Sequence, residues 1–414
     1  MEKPEKSTRL HRALSAALAI SMLAIVLVMG VMTVAPNWKK LQHAFQRRSV
    51  FSAYLPEGEG FDRLELLTAQ VRSLDGAINE NIWHADELGQ VNATLQYALG
   101  KRLVVTGSAQ MVRLNGGYLY DLQEEQSMAD AAEEILDLRE SLPEGMPFLF
   151  VYEHPTVYDP AMLPAGYDVL DYGEEAADEV TGCLRGSGVP VIDSRDVLTQ
   201  SGYPLDSFLM RTDQHWSSFA ALVMTRPVAE WLRDEAGLPL DPELLDVDRF
   251  ETETLERLFL GRYGQRVGVR NIAPDDIHLF WPDYPTEITR HTVRPTYETD
   301  AEGSFREAVI RWDRLERGEG GWNTSAYGDY GLSDITDRLT NANAPRARIL
   351  IFKDSYSSPI ASFLSLAASD IYAVDLRQTD RSALSFVEEF QPDAVIVAYS
   401  QQMMRDREYA FVNE

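Results

Sequence analysis

The feature that most constrains this fold is an alternation of short apolar runs with amphipathic stretches, beginning near residue 100. The apolar runs are typical of buried strands, and they are LVVTG (103–107), FLFVY (148–152), VPVID (189–193), ILIF (349–352), IYAVD (371–375) and AVIVAY (394–399). Helical patterns lie between them, near residues 126–140, 173–187, 216–235, 357–368 and 382–390. Strands that alternate with helices predict an α/β domain whose mostly parallel sheet is covered on both faces.

A long segment from about residue 238 to residue 345 interrupts this alternation. It is rich in Pro, Asp, Arg and aromatic residues, and it separates the strand–helix units that precede it from those that follow. Open α/β folds place their binding sites at the carboxyl edge of the sheet. We therefore expect this segment to be an insertion that lies over that edge.

Residues Ala13 to Ala35 form an apolar stretch without a single charged residue. At ~1.5 Å per residue, a helix of this length can cross a hydrocarbon core of ~30 Å. A cleaved signal peptide is the alternative, but its apolar region is typically ~7–15 residues long. Lys3, Lys6, Arg9 and Arg12 precede the stretch closely, which places the N-terminus in the cytoplasm.

These observations predict four segments. They are a cytoplasmic tail (1–12), a transmembrane anchor (13–35), a partly helical juxtamembrane stem (36–95) and an extracytoplasmic domain (96–414). The protein is thus expected in the cell membrane as a single-pass protein, with its domain outside the cytoplasm.

The charge distribution bears on the partners of this domain. The chain holds 65 acidic and 38 basic residues, for a net charge of -27. Nucleic acid is therefore an unlikely partner class, because phosphate binding needs clustered Lys and Arg. Cys183 is the only cysteine, which excludes an intrachain disulfide and a cysteine-based zinc site.

Two short motifs carry residues suited to nucleophilic catalysis. In RTDQHW (211–216), Asp213 lies two residues before His215, and residues so spaced share one face of an extended backbone. In IFKDSYSSPI (351–360), Ser355 follows an apolar strand and precedes a helical pattern, as in a nucleophile elbow. Capping of that helix by Asp354 or Ser355 is the alternative explanation. Together the motifs predict a triad in which Asp213 orients His215, the base for Ser355.

TDQHW and FKDSY, with the glycine-rich LFLGRYGQRVG (258–268), resemble the DHHW family and the alginate O-acetyltransferase-like group of SGNH-hydrolase-like proteins. The resemblance covers roughly residues 100–405 and implies a three-layer α/β/α sandwich with Asp213, His215 and Ser355 as its triad. It also implies acetylation of a polysaccharide outside the cytoplasmic membrane, with the acyl donor delivered by a membrane-embedded acyltransferase. Gln214 departs from the family pattern, since DHHW proteins have a histidine there.

Four further residues are weaker site candidates. Gly261 and Gly264 could lend backbone N–H groups to an oxyanion hole, as could Ser355 itself, although turn glycines are an equally good explanation. Trp216 and Tyr356 are candidates for substrate binding, with Trp216 as a wall for a sugar ring. For Trp216 a packed aromatic that supports the helix is the alternative.

The sequence therefore favours an O-acetyltransferase that acts on a cell-envelope or exported polysaccharide and needs no cofactor or metal. A carbohydrate acetylesterase would use the same triad, with water as the acceptor. A metal-dependent hydrolase, with Asp213, His215 and Asp354 as ligands, would leave Ser355 without a role. A non-catalytic glycan-binding envelope protein is the third alternative, with sugars stacked on aromatic residues of the insertion, namely Trp281, Tyr284, Trp312 and Trp322.

Overall fold

The structure is a computed structural model that describes residues 4–46, 78, 84–106, 109–154, 160–167, 170–294, 298–325, 330, 336–379, 381–406 and 411. The chain divides into two units, Met1–Val91 and Asn92–Glu414. Much of the predicted stem (36–95) lies outside the described residues.

The first unit is dominated by helix α1 (Pro4–Gln46), which includes the predicted anchor. Its segment Ser15–Leu41 is long and apolar enough to cross a membrane. The helix continues through Pro36, where the sequence predicted the anchor to end.

The described helices and strands alternate from residue 119 to residue 200 and again after residue 345, whereas three strands follow one another between residues 103 and 121. The helices are α2 (Ala85–Ala98), α3 (Ala129–Ser141), α4 (Gly173–Gly186), α5 (Ser194–Gln200), α6 (Ser218–Asp234), α7 (Arg262–Val267), α8 (Phe305–Ala308), α9 (Ser358–Leu364), α10 (Ala383–Phe390) and α11 (Gln401–Asp406). The strands are β1 (Leu103–Thr106), β2 (Ala109–Arg113), β3 (Leu119–Asp121), β4 (Phe148–Glu153), β5 (Val191–Asp193), β6 (Phe250–Phe259), β7 (Asp275–Pro282), β8 (Ile288–Val293), β9 (Glu298–Gly303), β10 (Thr336–Asn341), β11 (Arg348–Lys353), β12 (Asp370–Val374) and β13 (Ala394–Ser400).

The main sheet has eight strands in the order β5-β4-β13-β11-β12-β10-β8-β9. The five strands from β5 to β12 are parallel to their neighbours. The last three, β10, β8 and β9, are joined by antiparallel pairing. The sheet is therefore mixed, and its parallel half holds five of the six strands expected from the apolar runs.

The insertion differs from its predicted form, because it builds part of the sheet. Strands β8, β9 and β10 all come from it and extend the main sheet, while β6 and β7 pair separately as an antiparallel hairpin. The run LVVTG (103–107) also differs, since β1 belongs to a small antiparallel sheet with β2 and β3.

Both faces of the parallel strands are buried, as their continuous apolar pattern requires. Alternate side chains of one strand enter opposite layers: Ile349 and Ile351 of β11 pack towards α6 and α9, while Leu350 and Phe352 pack in the cluster that includes α3, α4 and α10. Helices thus cover the sheet on both sides, and the predicted three-layer α/β/α sandwich is confirmed.

Candidate active site

Ser355 lies on the turn between β11 and α9. It is the one residue from 349 to 368 that is not buried, so its hydroxyl is presented from an otherwise enclosed strand–turn–helix unit. Helix α9 begins only at Ser358, which puts the Ser355 amide before the helix rather than in its first turn. The predicted order of strand, serine and helix is thus present, without the strained backbone of a nucleophile elbow at Ser355.

The carboxylate of Asp354 braces this turn. Its Oδ1 accepts a hydrogen bond from the Tyr356 amide at 2.8 Å. Its Oδ2 accepts from the amide of Ser400 at 2.9 Å and from the Ser400 hydroxyl at 2.5 Å. The Ser357 hydroxyl donates to the Ala398 carbonyl at 2.8 Å. The serine turn is thereby fixed to the neighbouring strand β13.

Asp213 and His215 lie on a turn that is closed by an isolated bridge between Leu209 and Trp216. The backbone here is bent, not extended as the two-residue spacing suggested. The His215 amide donates to Asp213 Oδ1 at 3.1 Å, which is the short-range bond by which aspartate stabilises a turn two residues ahead. This bond, and not strand geometry, brings the two side chains to one side.

The three predicted triad residues form one hydrogen-bonded chain. His215 Nδ1 lies 2.5 Å from Asp213 Oδ1, and His215 Nε2 lies 2.8 Å from Ser355 Oγ. Asp213 is buried, and the His215 side chain is only 13% exposed. This arrangement can remove a proton from the serine hydroxyl and hold the resulting imidazolium beside a carboxylate.

Asp213 is held as a carboxylate by the groups around it. Burial acts to raise the pKa of Asp213, but the charge and hydrogen bond of His215, with the amides of Arg262 and His215, lower that pKa overall. The Arg262 amide donates to Asp213 Oδ2 at 2.8 Å. Both carboxylate oxygens are thus occupied, which fixes the orientation of the side chain.

Gly261 and Gly264 lie where the loop before α7 and the first turn of α7 pass close to Thr212 and Asp213. A Cβ at Gly261 would overlap the Asp213 side chain and lie 2.7 Å from the Thr212 carbonyl oxygen, and one at Gly264 would lie 2.7 Å from Thr212 Cβ. The Gly261 amide donates to Thr212 Oγ1, and the Gly264 amide donates to the Thr212 carbonyl, both at 2.8 Å. The prediction that these amides form an oxyanion hole is wrong, since both are already bonded. The glycines allow close approach instead.

Trp216 and Tyr356 do not line a substrate surface, because each side chain is 2% exposed. Trp216 Nε1 donates to the Tyr356 carbonyl at 3.0 Å, and the Tyr356 hydroxyl donates to the Gln214 carbonyl at 2.6 Å. The Tyr356 ring also lies 4.6 Å from the His215 ring. The prediction of substrate contact is wrong for both residues. They join the serine turn to the Asp–His turn, and the packed alternative given for Trp216 is the one observed.

The metal alternative lacks a third ligand at this site. Both oxygens of Asp354 already accept hydrogen bonds, from Tyr356 and Ser400. Across the described parts of the chain, no group of three or more His, Cys, Asp and Glu side chains could hold a metal ion.

Three of the four aromatic residues named in the insertion stack on arginine side chains. The Arg306 guanidinium lies 4.7 Å from the Trp281 ring centre and 4.3 Å from that of Trp312. Arg249 lies 4.9 Å from the ring centre of Tyr284. These faces are covered by the protein itself, which weakens the case for sugar stacking on them.

A cavity of about 550 Å³ lies next to the residues that follow the triad in sequence. Its wall includes Ser217 and Ser218 after His215, and Pro359 after Ser355. Aromatic and charged side chains complete it, among them Tyr118, Phe219, Phe280, Arg211 and Asp275. Such a mixture of rings and polar groups is suited to a polar organic ligand.

Comparison with known proteins agrees with this geometry. Residues 107–308 match the family model described as the SGNH hydrolase-like domain of the acetyltransferase AlgX. A search of curated proteins found no match. The segment matched by the family model, 107–308, includes Asp213, His215, Gly261 and Gly264 but ends before Ser355. The position of Ser355 in the site therefore depends on the structure alone.

Two solved structures are similar in fold. One is a DHHW family protein from Eubacterium siraeum, with 18% identity, a TM-score of 0.58, and coverage of 76% of this chain and 99% of that one. The other is PatB1 of Bacillus cereus with a sulfonyl adduct, with 15% identity, a TM-score of 0.59, and coverage of 74% and 100%. The predicted resemblance to DHHW and alginate O-acetyltransferase-like proteins is confirmed, and the fold is that of SGNH-hydrolase-like proteins.

Sequence reasoning missed two residues that support the site, Thr212 and Asp275. Thr212 lies inside the RTDQHW motif and could have been noticed as a polar neighbour of Asp213. Asp275 lies 64 positions after Arg211, whose amide it binds, and no local pattern connects the two.

Proposed function

We propose that this protein is a membrane-anchored, extracytoplasmic O-acetyltransferase that acts on a cell-envelope or exported polysaccharide. The observation that carries the proposal is the hydrogen-bonded chain from Asp213 through His215 to Ser355. The match to an acetyltransferase-like SGNH domain favours acetyl transfer among the reactions that such a chain can catalyse.

In the first half of the proposed reaction, Ser355 Oγ attacks the carbonyl carbon of an acetyl donor. His215 Nε2 takes the hydroxyl proton, and Asp213 stabilises the imidazolium that forms. The tetrahedral intermediate then expels the leaving group, which receives the proton from His215, and an acetyl ester remains on Ser355. With the amides of Gly261 and Gly264 bonded to Thr212, the Ser355 amide is the remaining predicted oxyanion donor.

In the second half, a sugar hydroxyl attacks the acetyl carbonyl while His215 accepts its proton. Collapse of this intermediate breaks the bond to Ser355 Oγ, which regains a proton from His215, and the acetylated sugar leaves. Attack by water in place of the sugar would make the same residues a carbohydrate acetylesterase. The chemical steps are the same, so acceptor choice separates the two activities.

The proposed place for the acceptor is the cavity described above, whose wall includes sequence neighbours of His215 and Ser355 but none of the three triad residues. The half-buried rings of Phe219 and Phe280 can contact the apolar face of a sugar, while Arg211 can bind its oxygens. The acetyl donor is proposed to come from a membrane-embedded acyltransferase. The apolar segment Ser15–Leu41 would keep the domain close to such a partner.

A sulfonyl fluoride tests the nucleophile directly, because it forms a stable adduct with an activated serine hydroxyl. We expect one adduct on the intact protein, located at Ser355 by peptide mass spectrometry, and no adduct on Ser355→Ala. Labelling of another residue at the same rate in both proteins would contradict the assignment of Ser355.

Acceptor choice is tested with an activated acetyl ester. We expect acetyl-enzyme on Ser355, and its loss should be faster when an oligosaccharide is added, with acetylated sugar as the product. If saturating glycans never compete with water, the protein is an esterase.

The anchor is tested by fractionating cells that express the full chain or a variant without residues 1–46. The full chain should stay in membranes after alkaline washing, and external protease should reach its domain. Release of the full chain by the wash would contradict the anchor, and protection of the domain from external protease would contradict its proposed orientation.

A further inference from the structure

A second buried carboxylate, that of Asp275, binds the residues that lead into the Asp–His turn. Asp275 is the first residue of β7 and is 8% exposed. Its Oδ1 accepts a hydrogen bond from the Arg211 amide at 2.7 Å. Its Oδ2 accepts from the Thr212 amide at 2.9 Å and from the Thr212 hydroxyl at 2.5 Å. All three donors belong to the two residues directly before Asp213.

Thr212 connects this carboxylate to the loop that touches Asp213. Its Oγ1 donates to Asp275 and accepts from the Gly261 amide, while its carbonyl accepts from the Gly264 amide. The next amide in that loop, Arg262, donates to Asp213. Asp275 and Thr212 therefore hold both sides of the Asp213 carboxylate, namely its own backbone and the loop that binds its second oxygen.

The Arg211 carbonyl is fixed as well, because it accepts a hydrogen bond from the Leu119 amide of β3 at 3.0 Å. Tyr263 and Val267 of α7 pack with Val104 and Met111 of the same small sheet. The small sheet thus supports the turn and the loop together. Asp275 supplies the contacts from the opposite side, through the hairpin of β6 and β7.

This carboxylate is a poor source of stability at neutral pH. Burial raises the pKa of Asp275 to about 6, against the lowering effect of the Thr212 hydroxyl and the Arg211 and Thr212 amides. Its ionised form is therefore disfavoured by folding. A role in placing the turn accounts for the three convergent hydrogen bonds better than a role in stability does.

We propose that Asp275 is a positioning residue for the catalytic pair: it fixes Arg211 and Thr212 so that Asp213 meets His215 in the geometry that serves Ser355. This inference rests on the proposed serine mechanism. Asp275 does not touch the reacting atoms and acts through Asp213. A small displacement of Asp213 would misalign His215 and slow the chemical step more than substrate binding.

The test compares Asp275→Asn with Asp393→Asn in the full-length protein. An amide in place of the Asp275 carboxylate has only one acceptor oxygen, so one of the two backbone amides that it binds loses its partner. Asp393 is the control, because its carboxylate also accepts a backbone N–H, that of Arg348, but it is exposed and lines neither the cavity nor the triad. We expect kcat for acetyl-ester turnover to fall about 10- to 100-fold in Asp275→Asn with KM nearly unchanged, and neither to change in Asp393→Asn.

A second measurement separates positioning from general damage. The rate of Ser355 sulfonylation is compared for Asp275→Asn alone and in an Asp213→Ala background. If Asp275 acts through Asp213, adding Asp275→Asn to Asp213→Ala should not lower the sulfonylation rate any further. The proposal would be overturned if Asp275→Asn lowered the sulfonylation rate as much in the Asp213→Ala background as it does alone. Wild-type kcat in Asp275→Asn would overturn it as well.

Two further variants apply if Asp275→Asn does not fold. Thr212→Val removes only the hydroxyl, and Thr212→Ser restores it. We expect kcat to fall several-fold in the first and to recover in the second, and equal activity of the two would count against the proposal. Full activity of Ser355→Ala would instead refute the serine mechanism itself, which keeps the two failures distinct.

Discussion

The two turns that carry the triad are held in different ways. The serine turn is bonded to itself and to the adjacent strand β13, through Asp354 and Ser357. The Asp–His turn is held instead by Leu119 of the small sheet and by the distant Gly261, Arg262 and Asp275. The nucleophile thus belongs to the parallel sheet, whereas the position of its base depends on the insertion.

Because their supports differ, the two turns should differ in their sensitivity to substitutions elsewhere in the domain. The serine turn has its supports within the buried sheet, so it should keep its shape whenever the domain folds. The Asp–His turn meets its supports where the loop before α7 converges with strands β3 and β7. Changes in those elements should therefore impair the base while leaving the serine in place, and the following experiments test that division.

The largest effect is expected when either turn loses its reactive side chain. Ser355→Ala, His215→Ala and Asp213→Ala should each lower kcat by about 10⁴- to 10⁶-fold, because the three groups act as a unit. Steady-state acetyl-ester assays measure the loss, and circular dichroism checks the fold. The Ser355→Ala/His215→Ala protein should be scarcely worse than either single variant, and multiplied losses would show that the residues act independently.

A second effect concerns pH and the support of the Asp–His turn. Folding raises the pKa of Asp275 from 3.8 to about 6, so this group's contribution to the free energy of unfolding is greatest below pH 4 and is lost as pH rises through about 6. The difference amounts to about 3 kcal/mol. Denaturant titrations of wild type and Asp275→Asn at pH 4 and pH 7 should therefore diverge by that amount. Asp213, whose pKa is lowered by folding, acts in the opposite direction but is present in both proteins. Parallel pH profiles would contradict the assigned burial cost.

A third effect comes from filling the space between the glycine loop and the Asp–His turn. In Gly261→Ala the new methyl group would overlap Asp213, which should destabilise the domain by about 1–3 kcal/mol and lower kcat. Thermal melts and acetyl-ester assays measure the two effects. Gly182→Ala in α4 is the control, because open space surrounds its position. Equal behaviour of the two variants would show that the loop can move away without cost to the triad.

The smallest effect is expected at the contact between the two turns. Tyr356→Phe removes the hydrogen bond to the Gln214 carbonyl but keeps the ring that packs near His215. We expect a loss of about 1 kcal/mol in stability and a change of a few-fold in kcat. If this variant lost as much activity as Ser355→Ala, the hydroxyl would have a chemical role that its burial does not suggest.

The sequence patterns did not predict the antiparallel half of the main sheet. Strand β9 is the edge strand, and its residues ETDAEG are mostly exposed and polar. Without an apolar face it gives no periodic signal. Its neighbour β8 does alternate buried and exposed positions, but it lies within a segment whose composition suggested a loop-rich insertion.

The sequence by itself determined the parallel core, the apolar N-terminal helix and the residue types of the triad, because strand and helix periodicity and the two motifs are local properties. Only the tertiary structure decided that Gly261 makes room for Asp213 and Gly264 for Thr212, that Trp216 and Tyr356 connect the two turns, and that Asp275 holds Thr212. Those functions depend on contacts between residues about 50 to 140 positions apart. A hydrogen bond across such a distance is set by how the sheet and the insertion pack, and no short stretch of sequence records it.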